Sequence, residues 1–534
     1  MRSLTPAELK ARLLTDAELA LIDVREQGTY SEAHLLFATC VPLSRLELMI
    51  GDLVPRLDAP IVLVSGNDED GLADAAAAKL AQFGYRDLAI LAGGTDAWGT
   101  AGFEVFSGIN VPSKAFGEFI EHRFDTPRLP AAEVKRMLDE GRDMVVVDSR
   151  PLDEFQRMNI PTAVDMPGAE LAWRIHDLAP DPNTFVVVNC AGRTRSIIGA
   201  QSLINAGIPN PVAALKDGTM GWQLAGFELE RGNTREAAPP GAQGREKATA
   251  AAAAVAERFG VQSATPEQVS LWSAEPDRTT YLLDVRSPGE YATGHLDGYR
   301  NAPGGQLVQA TDEYVAVRNA RLVLADDVGV RATMTASWLI QMGWNDVHVL
   351  AGGIGRAALV SGSAKPHLFE PLAVASMDSA TLAGQLPATT VIDLGLSRDY
   401  NRAHIPGACW CTRLRLTEAL ARLQQQGDLC EQVVLTSGDG LLAMLALPEA
   451  RAWAQTNNLD LDIQALSNGT DAWISADLPT TKGLENIIGP IDDVWFKPYD
   501  HQGSQEQFMR DYLTWEVALV EQIERDGTTR FREF

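Results

Sequence analysis

The hydrophobic residues of the chain recur in four similar blocks, and each block begins with a short, wholly apolar run that ends in an aspartate. These aspartates are Asp23, Asp148, Asp284 and Asp393, and they are separated by 125, 136 and 109 residues. In every block a second apolar run follows and leads into a helical segment. Apolar strands that alternate with helices are typical of parallel sheets covered on both faces. The pattern therefore predicts an α/β protein of four doubly wound domains in series.

The second apolar runs and the ends of the blocks are also alike. The runs are IVLVSG from Ile61, FVVVNC from Phe185, RLVLAD from Arg321 and QVVLTS from Gln432. The blocks close on AILAGGTDAW, AALKDGTMGW, VHVLAGGIGR and IQALSNGTDAW, each of which predicts a strand followed by a glycine turn. Repetition at domain-sized spacing indicates four copies of one structural unit.

These repeats divide the chain into six segments. We place unit one at residues 1–112, unit two at 113–235, unit three at 259–366 and unit four at 367–482. Residues 236–258 form a linker rich in Pro and Gly that ends in an alanine run, for which we expect a helix. We expect the linker to separate two tandem pairs of units. The aromatic-rich extension, residues 483–534, is predicted to form a helix packed on the last unit, with a partner-binding surface as the alternative.

Composition and charge narrow the possible partners. The net charge of −26 over 534 residues argues against nucleic acid and against an anionic membrane, since both require a basic surface. No apolar run is long enough to span a bilayer, and the first residues lack the pattern of a signal peptide. Five cysteines are too few for a disulfide framework at this length. We therefore expect a cytoplasmic protein.

One of these cysteines stands where the second strand of unit two turns into a helix. The loop reads Cys190-Ala-Gly-Arg-Thr-Arg-Ser196, with Gly192 near its start and arginines at 193 and 195. Helix N-terminal N–H groups and guanidinium groups favour anions, so we expect a lowered pKa for the Cys190 thiol. The loop is predicted to cradle a small anion beside a nucleophilic thiolate. The alternative is an inert, buried cysteine.

Taken together, the strand-ending D-[VS]-R stretches, the CAGRTRS loop and the closing glycine turns resemble the rhodanese family of sulfurtransferases. The resemblance covers nearly the whole chain as four rhodanese-like units. It implies roughly five-stranded parallel sheets with helices on both faces, and Cys190 matches the position of the family's catalytic cysteine. The loop departs from the commoner C-x-x-G-x-R pattern, because glycine stands at 192 and arginine at 193.

The resemblance implies a persulfide mechanism without a metal or an organic cofactor. Cys190 would take sulfur from a small anionic donor, such as thiosulfate or a persulfide, and pass it to a thiol or to cyanide. The substrate would be held by Ala191, Gly192, Arg193, Thr194, Arg195 and Ser196, with supporting roles for Asp148, Arg150 and Arg157. An internal salt bridge is the alternative for Asp148 and Arg150.

Other functions remain to be distinguished. A non-enzymatic sulfur carrier or scaffold would use Cys190 only to hold a persulfide, with a sulfur-relay protein as its partner. A cysteine phosphatase is disfavoured, because those enzymes use C-x5-R and this loop is one residue shorter. Units one, three and four carry Gly66, Asp326 and Ser437 where unit two has Cys190. We expect a structural role for these units, and a partner-binding role for the second pair is the alternative.

Overall fold

A computed structural model describes residues 2–355, 358–369, 372, 376–501 and 503–534. Within these residues the strands form four sheets, one for each repeat, and each contains five parallel strands in the same spatial order. When the five parallel strands of each sheet are numbered in chain order, the spatial order is first, fifth, fourth, second and third. The predicted fold class is confirmed.

The first half of the chain contains units one and two. The strands of unit one are β1 (Arg2–Leu4), β2 (Leu19–Asp23), β3 (Thr39–Cys40), β4 (Ile61–Val64) and β5 (Leu88–Leu91). Its helices are α1 (Pro6–Leu13), α2 (Gln27–Glu32), α3 (Leu46–Leu53), α4 (Leu72–Gln82) and α5 (Gly94–Thr100), and α6 (Val111–Phe124) leads to unit two. The strands of unit two are β6 (Arg128–Leu129), β7 (Met144–Asp148), β8 (Val164–Asp165), β9 (Phe185–Asn189) and β10 (Val212–Leu215). Its helices are α7 (Ala131–Asp139), α8 (Leu152–Arg157), α9 (Leu171–Leu178), α10 (Thr194–Asn205) and α11 (Gly218–Leu224).

The alanine-rich segment forms α12 (Ala242–Phe259) and leads to the second half. The strands of unit three are β11 (Gln262–Ala264), β12 (Thr280–Asp284), β13 (Arg300–Asn301), β14 (Val317–Arg318), β15 (Arg321–Ala325) and β16 (Val347–Leu350). Its helices are α13 (Pro266–Ser273), α14 (Pro288–Thr293), α15 (Gly304–Gln309) and α16 (Val330–Gln341). The strands of unit four are β17 (Ser376–Met377), β18 (Thr389–Asp393), β19 (Cys409–Trp410), β20 (Gln432–Thr436) and β21 (Asp462–Leu466). Its helices are α17 (Ser379–Gln385), α18 (Ser397–Arg402), α19 (Leu416–Gln426), α20 (Leu441–Thr456) and α21 (Gly469–Ser475), and the extension contains α22 (Gln505–Asp526).

The units do not associate as the two tandem pairs that the linker suggested. Unit two packs on unit three. Helix α9 contacts α16, α10 contacts α15, and α12 lies against both α9 and α16. The contact is close: the Cα of Gly305 lies 3.2 Å from the position that a Cβ on Gly168 would occupy. The linker helix therefore joins unit two to unit three instead of separating them.

Unit one has contacts with both units of the second half. Strand β14 of unit three adds to the sheet of unit one, where it pairs antiparallel with β2. Apolar residues of the two units, such as Leu63 and Leu322, belong to one continuous buried cluster. The turn at Leu43–Arg45 packs on the turn at Arg413–Arg415 of unit four. Unit one is thus held by contacts with units three and four, which are distant in sequence.

The helix of the C-terminal extension was expected to pack on the last unit, and this prediction is wrong for α22. Residues 486–493 of the extension do pack on unit four, where the N–H of Ile488 donates to the Trp410 carbonyl at 2.8 Å. Helix α22 lies along α6, the helix between units one and two. It also contacts unit one, where Gln522 donates a hydrogen bond to the carbonyl of Val105 at 2.9 Å. Apolar residues Leu519 and Ile523 of α22 join a buried cluster with Val111 and Ala115 of α6. The chain end therefore returns to the first half of the protein.

A helix that spans a membrane needs about 20 predominantly apolar residues. Among the residues that the structure describes, no helix is both long and apolar enough to cross a membrane.

Candidate active site

Cys190 lies directly after β9, and the loop that it opens leads into α10. The backbone of the glycine turn at the end of unit two forms hydrogen bonds with this loop. The N–H of Thr219 donates to the Cys190 carbonyl at 2.9 Å, and that of Met220 donates to the Ala191 carbonyl at 3.0 Å. Gly218 has a φ of +57°, and a Cβ there would lie only 2.3 Å from the Cys190 carbonyl oxygen. Glycine is needed here both for the backbone conformation and for the close approach.

Asp148 and Arg150 form a salt bridge inside the fold. Arg150 donates to both carboxylate oxygens of Asp148 at 2.8 Å and also to the carbonyl of Met158. The side chain of Asn189, the residue before Cys190, donates to Asp148 at 2.8 Å. Units one and three repeat the bridge as Asp23–Arg25 and Asp284–Arg286, without a cysteine. The pair therefore forms the internal salt bridge that was the alternative for these residues, and it fixes the strand ends next to the loop.

Arg193 was predicted to supply charge to the cradle, and the structure directs it elsewhere. Its guanidinium group lies against α6, where it bonds to Glu118 at 2.6 and 2.7 Å and to Glu121 at 2.6 Å. It also contacts Asp217 at 3.1 Å. Three carboxylates neutralise this arginine, so its role is to anchor the loop to α6.

Arg195 remains beside Cys190. Its guanidinium group pairs with Glu154 at 2.9 Å and receives a second contact from unit three, where Gln306 accepts a hydrogen bond at 3.3 Å. Burial alone would lower the pKa of Arg195, but Glu154 and Cys190 raise it, so the group stays charged. Lys497 of the extension lies 3.4 Å from Glu154. Arg195 is thus the fixed positive charge of the loop, and unit three helps to hold it.

Arg157 was predicted to add positive charge at the mouth of the site. The structure pairs it with Asp500 and places its guanidinium group over the ring of Tyr499, 4.7 Å from the ring centroid. Both partners belong to the extension. Arg157 therefore helps to attach the chain end beside the site.

The extension covers the Cys190 loop. Met509, Tyr512 and Leu513 of α22 pack against Ala191, and Cys190 is only 2% exposed. A Cβ on Gly192 would lie 3.1 Å from Oε2 of Glu516 and 3.2 Å from Cε1 of Tyr512. Gly192, expected to let the backbone approach a ligand, instead admits the helix. We call Tyr499, Met509, Tyr512, Leu513 and Glu516 the roof of the site.

The expected lowering of the Cys190 pKa is not what the structure shows. Burial raises the pKa of the thiol above its usual value, and the Glu516 carboxylate adds to this rise. Arg195 and hydrogen bonds from Ser196 act in the opposite direction without overcoming it. The reason is the roof, which removes water from a sulfur that the sequence placed at an exposed helix start.

The raised pKa predicts slow alkylation of Cys190 at neutral pH. Because only the thiolate reacts, iodoacetamide at pH 7.5 should modify Cys190 in the folded protein at least about tenfold more slowly than in the unfolded chain. The rate should rise as pH increases toward the pKa. Peptide mass spectrometry after timed quenching measures it, and fast modification of the folded protein at pH 7.5 would contradict the raised pKa.

Unit three keeps the cradle and fills it with its own side chain. Asp326, at the position of Cys190, accepts hydrogen bonds from the N–H groups of Val328 at 3.0 Å, Arg331 at 2.7 Å and Ala332 at 3.1 Å, and also from Gly329. Arg331, the counterpart of Arg195, contacts Glu170 of unit two at 2.7 Å. The carboxylate of Asp326 thus occupies the position on which the N–H groups of the loop converge.

Replacing Asp326 with alanine should destabilise the start of α16. The change leaves several buried N–H groups without an acceptor, which we expect to cost about 2–3 kcal/mol locally. Hydrogen exchange of the amides at 328–332 measures the effect. Asp327→Ala is the matched control, because Asp327 is half-exposed and accepts no hydrogen bond from these amides in the described contacts. Equal protection in both variants would show that Asp326 does not hold the loop.

Units one and four have no anion cradle of this kind in the described residues. In unit one the Asp70 carboxylate accepts from the N–H of Gly66 at 2.9 Å and from that of Leu72 at 2.9 Å. In unit four the Ser437 hydroxyl accepts from the N–H of Ala443 at 3.3 Å. The polar groups of these loops are used within the fold.

Sequence reasoning missed several residues around the site: Glu154, Gly218, Gln306, Tyr512 and Glu516. Gly218 had a signal, because a glycine follows the last strand in all four repeats. The others come from α8, unit three and α22, and nothing local to the Cys190 loop points to them.

Similarity to known proteins identifies the family of the chain. The sequence profile of the rhodanese-like domain matches residues 5–101, 130–225 and 265–356, which together are more than half of the chain. The chain belongs to the rhodanese-like family. Unit four lies outside these matches, but its sheet has the strand order of the other three.

This rhodanese-like chain is similar to two solved structures and one curated protein. A thiosulfate sulfurtransferase from Pseudomonas aeruginosa is 48% identical, covers 100% of this chain and 99% of its own, and superposes with a TM-score of 0.92. A rhodanese-related protein from Thermoplasma volcanium is 20% identical over 21% of this chain and 98% of its own, with a TM-score of 0.16. An HTH-type transcriptional regulator of Mycobacterium tuberculosis is 34% identical over 101 residues, which is 19% of this chain. The chain spans 43% of that regulator's length.

Proposed function

We propose that this rhodanese-type sulfurtransferase moves a sulfane sulfur from a small anionic donor to a thiol or cyanide acceptor through a persulfide on Cys190. One observation carries the proposal. Cys190 opens the strand-to-helix loop of unit two, Arg195 lies beside it, and the equivalent positions of the other units hold glycine, aspartate and serine.

The first half-reaction forms the persulfide. The Cys190 sulfur attacks the outer sulfur of the donor, the S–S bond of the donor breaks, and sulfite leaves with the electron pair when the donor is thiosulfate. In the second half-reaction the acceptor attacks the outer sulfur of the persulfide and Cys190 leaves as a thiolate. Arg195 supplies positive charge beside both anionic sulfurs.

Two observations favour thiosulfate as the donor. The relative that is 48% identical along its whole length is named a thiosulfate sulfurtransferase. In unit three the equivalent loop directs N–H groups from four residues at the carboxylate of Asp326. A loop of this length can therefore collect donors around a small anion, and we assign the same use to residues 190–196 of unit two.

The remaining units have a structural role in this proposal. Unit three holds Arg195 through Gln306 and accepts Arg331 on Glu170 of unit two. Unit one supports α22, and unit four supports residues 486–493 of the extension. We retain the segment boundaries at 112, 235, 258, 366 and 482, and a cytoplasmic location, as part of the proposal.

The test is multiple turnover with thiosulfate and cyanide. An enzyme should release many equivalents of sulfite per protein and form thiocyanate in equal amount. A sulfur carrier that is loaded only by a partner protein would release no sulfite from thiosulfate in the absence of that partner, and this result would contradict the proposal. Hydrolysis of a generic phosphoester, without sulfite release, would point to the phosphatase alternative.

A further inference from the structure

Glu516 of α22 is a buried acid that the mechanism above does not use. Its side chain is almost fully buried, with 1% of the residue exposed. One carboxylate oxygen, Oε1, accepts hydrogen bonds from the Tyr512 hydroxyl at 3.0 Å and from the Thr194 hydroxyl at 3.1 Å. The other, Oε2, has no hydrogen-bond partner within the described structure. A buried carboxylate oxygen without a donor needs an explanation.

The free oxygen faces the Cys190 loop. It lies 3.1 Å from the point where a Cβ on Gly192 would stand, so only the absence of that side chain leaves room for it. Glu516 is also tied to this loop through the Thr194 hydroxyl, and its charge contributes to the raised pKa of Cys190. Oε2 makes no hydrogen bond to Sγ in this structure, so the two atoms meet only when the loop or α22 moves. The thiol is protonated at rest, and sulfur transfer requires the thiolate.

We propose that Glu516 is the general base that removes the Cys190 proton when the sulfur donor is attacked. The proposal rests on the sulfurtransferase function proposed above. The proton moves from Sγ of Cys190 to Oε2 of Glu516, the sulfur electron pair forms the new S–S bond, and the donor's S–S bond breaks as sulfite departs. When the acceptor later takes the outer sulfur, the Cys190 thiolate recovers its proton from Glu516.

The surroundings of Glu516 suit this role. Burial raises the pKa of Glu516 to about 7, against the opposing effect of Lys114 on α6. Glu118 of α6 raises it further, whereas hydrogen bonds from Tyr512 and Thr194 lower it. A general base is most effective when its pKa lies near the working pH.

Lys114 places a positive charge near Glu516 but donates no hydrogen bond to its Oε2. Its ammonium group donates to the Ile109 carbonyl and lies 5.1, 5.5 and 5.0 Å from the ring centroids of Trp495, Tyr512 and Trp515. Burial lowers the pKa of Lys114 to about 8, and Glu516, Asp312 and Glu313 oppose this shift. Arg195 also faces this group from the loop.

The experiment is the pH dependence of a single turnover. The protein is mixed with excess thiosulfate in the absence of an acceptor. The rate at which the first equivalent of sulfite is released is measured at values from pH 5.5 to 9. Because Glu516 must be deprotonated to act, the rate should rise with pH through a midpoint near 7 in the unchanged protein. Glu516→Gln should slow the step about 100-fold or more at pH 8 and remove this midpoint. Glu516→Asp should keep a midpoint at a reduced rate.

Two further variants separate chemistry from folding. Glu524→Gln makes the same change at an exposed position of α22 and should leave rate and profile unchanged. Lys114→Met combined with Glu516→Gln removes both buried charges together and should still lack the midpoint near 7. If Glu516→Gln keeps that midpoint, whatever its rate, Glu516 is not the base. If the unchanged protein forms no sulfite, the proposed function itself fails, and this outcome is distinct from the first.

Discussion

Replacing Cys190 with serine is expected to lower sulfite release from thiosulfate by at least about a thousandfold, because the nucleophile of a covalent mechanism is lost. Serine is close in size to cysteine, so the loop and its hydrogen bonds to Thr219 and Met220 should remain. Steady-state assays with cyanide as the acceptor measure the effect.

The matched control for this change is Cys430→Ser. Cys430 lies in unit four, next to β20, and is free like Cys190. Its replacement should leave turnover unchanged. Full activity of Cys190→Ser, or loss of activity in Cys430→Ser, would place the chemistry on another residue.

Gly218→Ala should lower both the stability of the protein and its turnover. The new methyl group would stand 2.3 Å from the Cys190 carbonyl oxygen and 2.7 Å from that of Gly192. The added strain at positive φ and the overlap together should cost about 3 kcal/mol or more. Because the displaced atoms belong to the Cys190 loop, turnover should also fall, by about a hundredfold. Thermal unfolding and steady-state assays measure the two effects.

Gly226→Ala provides the comparison within the same unit. Gly226 has a φ of +82°, but a Cβ there meets no atom within 4 Å. Its replacement should cost about 1–2 kcal/mol for backbone strain alone and should leave turnover unchanged. Equal loss of activity in both variants would show that strain, and not contact with the loop, is responsible.

The fold was largely predictable, because its signals are local and repeated. Apolar strands that end in Asp23, Asp148, Asp284 and Asp393 predicted four parallel sheets, and the structure has them. The strand-to-helix loop at Cys190 could be located for the same reason, although α10 begins at Thr194, within the predicted loop 190–196.

The environment of the loop could not be predicted, because it depends on residues far away in the sequence. Thr194 bonds to Glu516, which is 322 residues away, and Arg195 bonds to Gln306 of unit three. Two arginines two residues apart in the loop point in different directions, since Arg193 is drawn to Glu118 and Glu121. These contacts explain why the predicted pairing of units and the predicted pKa of Cys190 were wrong.

The same contacts change how the site operates. A thiolate at an open helix start would need no base, whereas a thiol beneath a roof needs both a base and access for the donor. Because Cys190 is almost fully buried and α22 packs against its loop, the donor can reach the sulfur only when surrounding residues move. The roof residues of the extension are therefore part of the candidate active site.

The most direct measurement is the intact mass of the protein after exposure to thiosulfate without an acceptor, followed by peptide mapping. The mass should increase by one sulfur atom, the added sulfur should lie on Cys190, and cyanide should remove it with formation of thiocyanate. An unchanged mass during sulfite release, or an added sulfur on Cys40, Cys409, Cys411 or Cys430, would contradict sulfur transfer through Cys190.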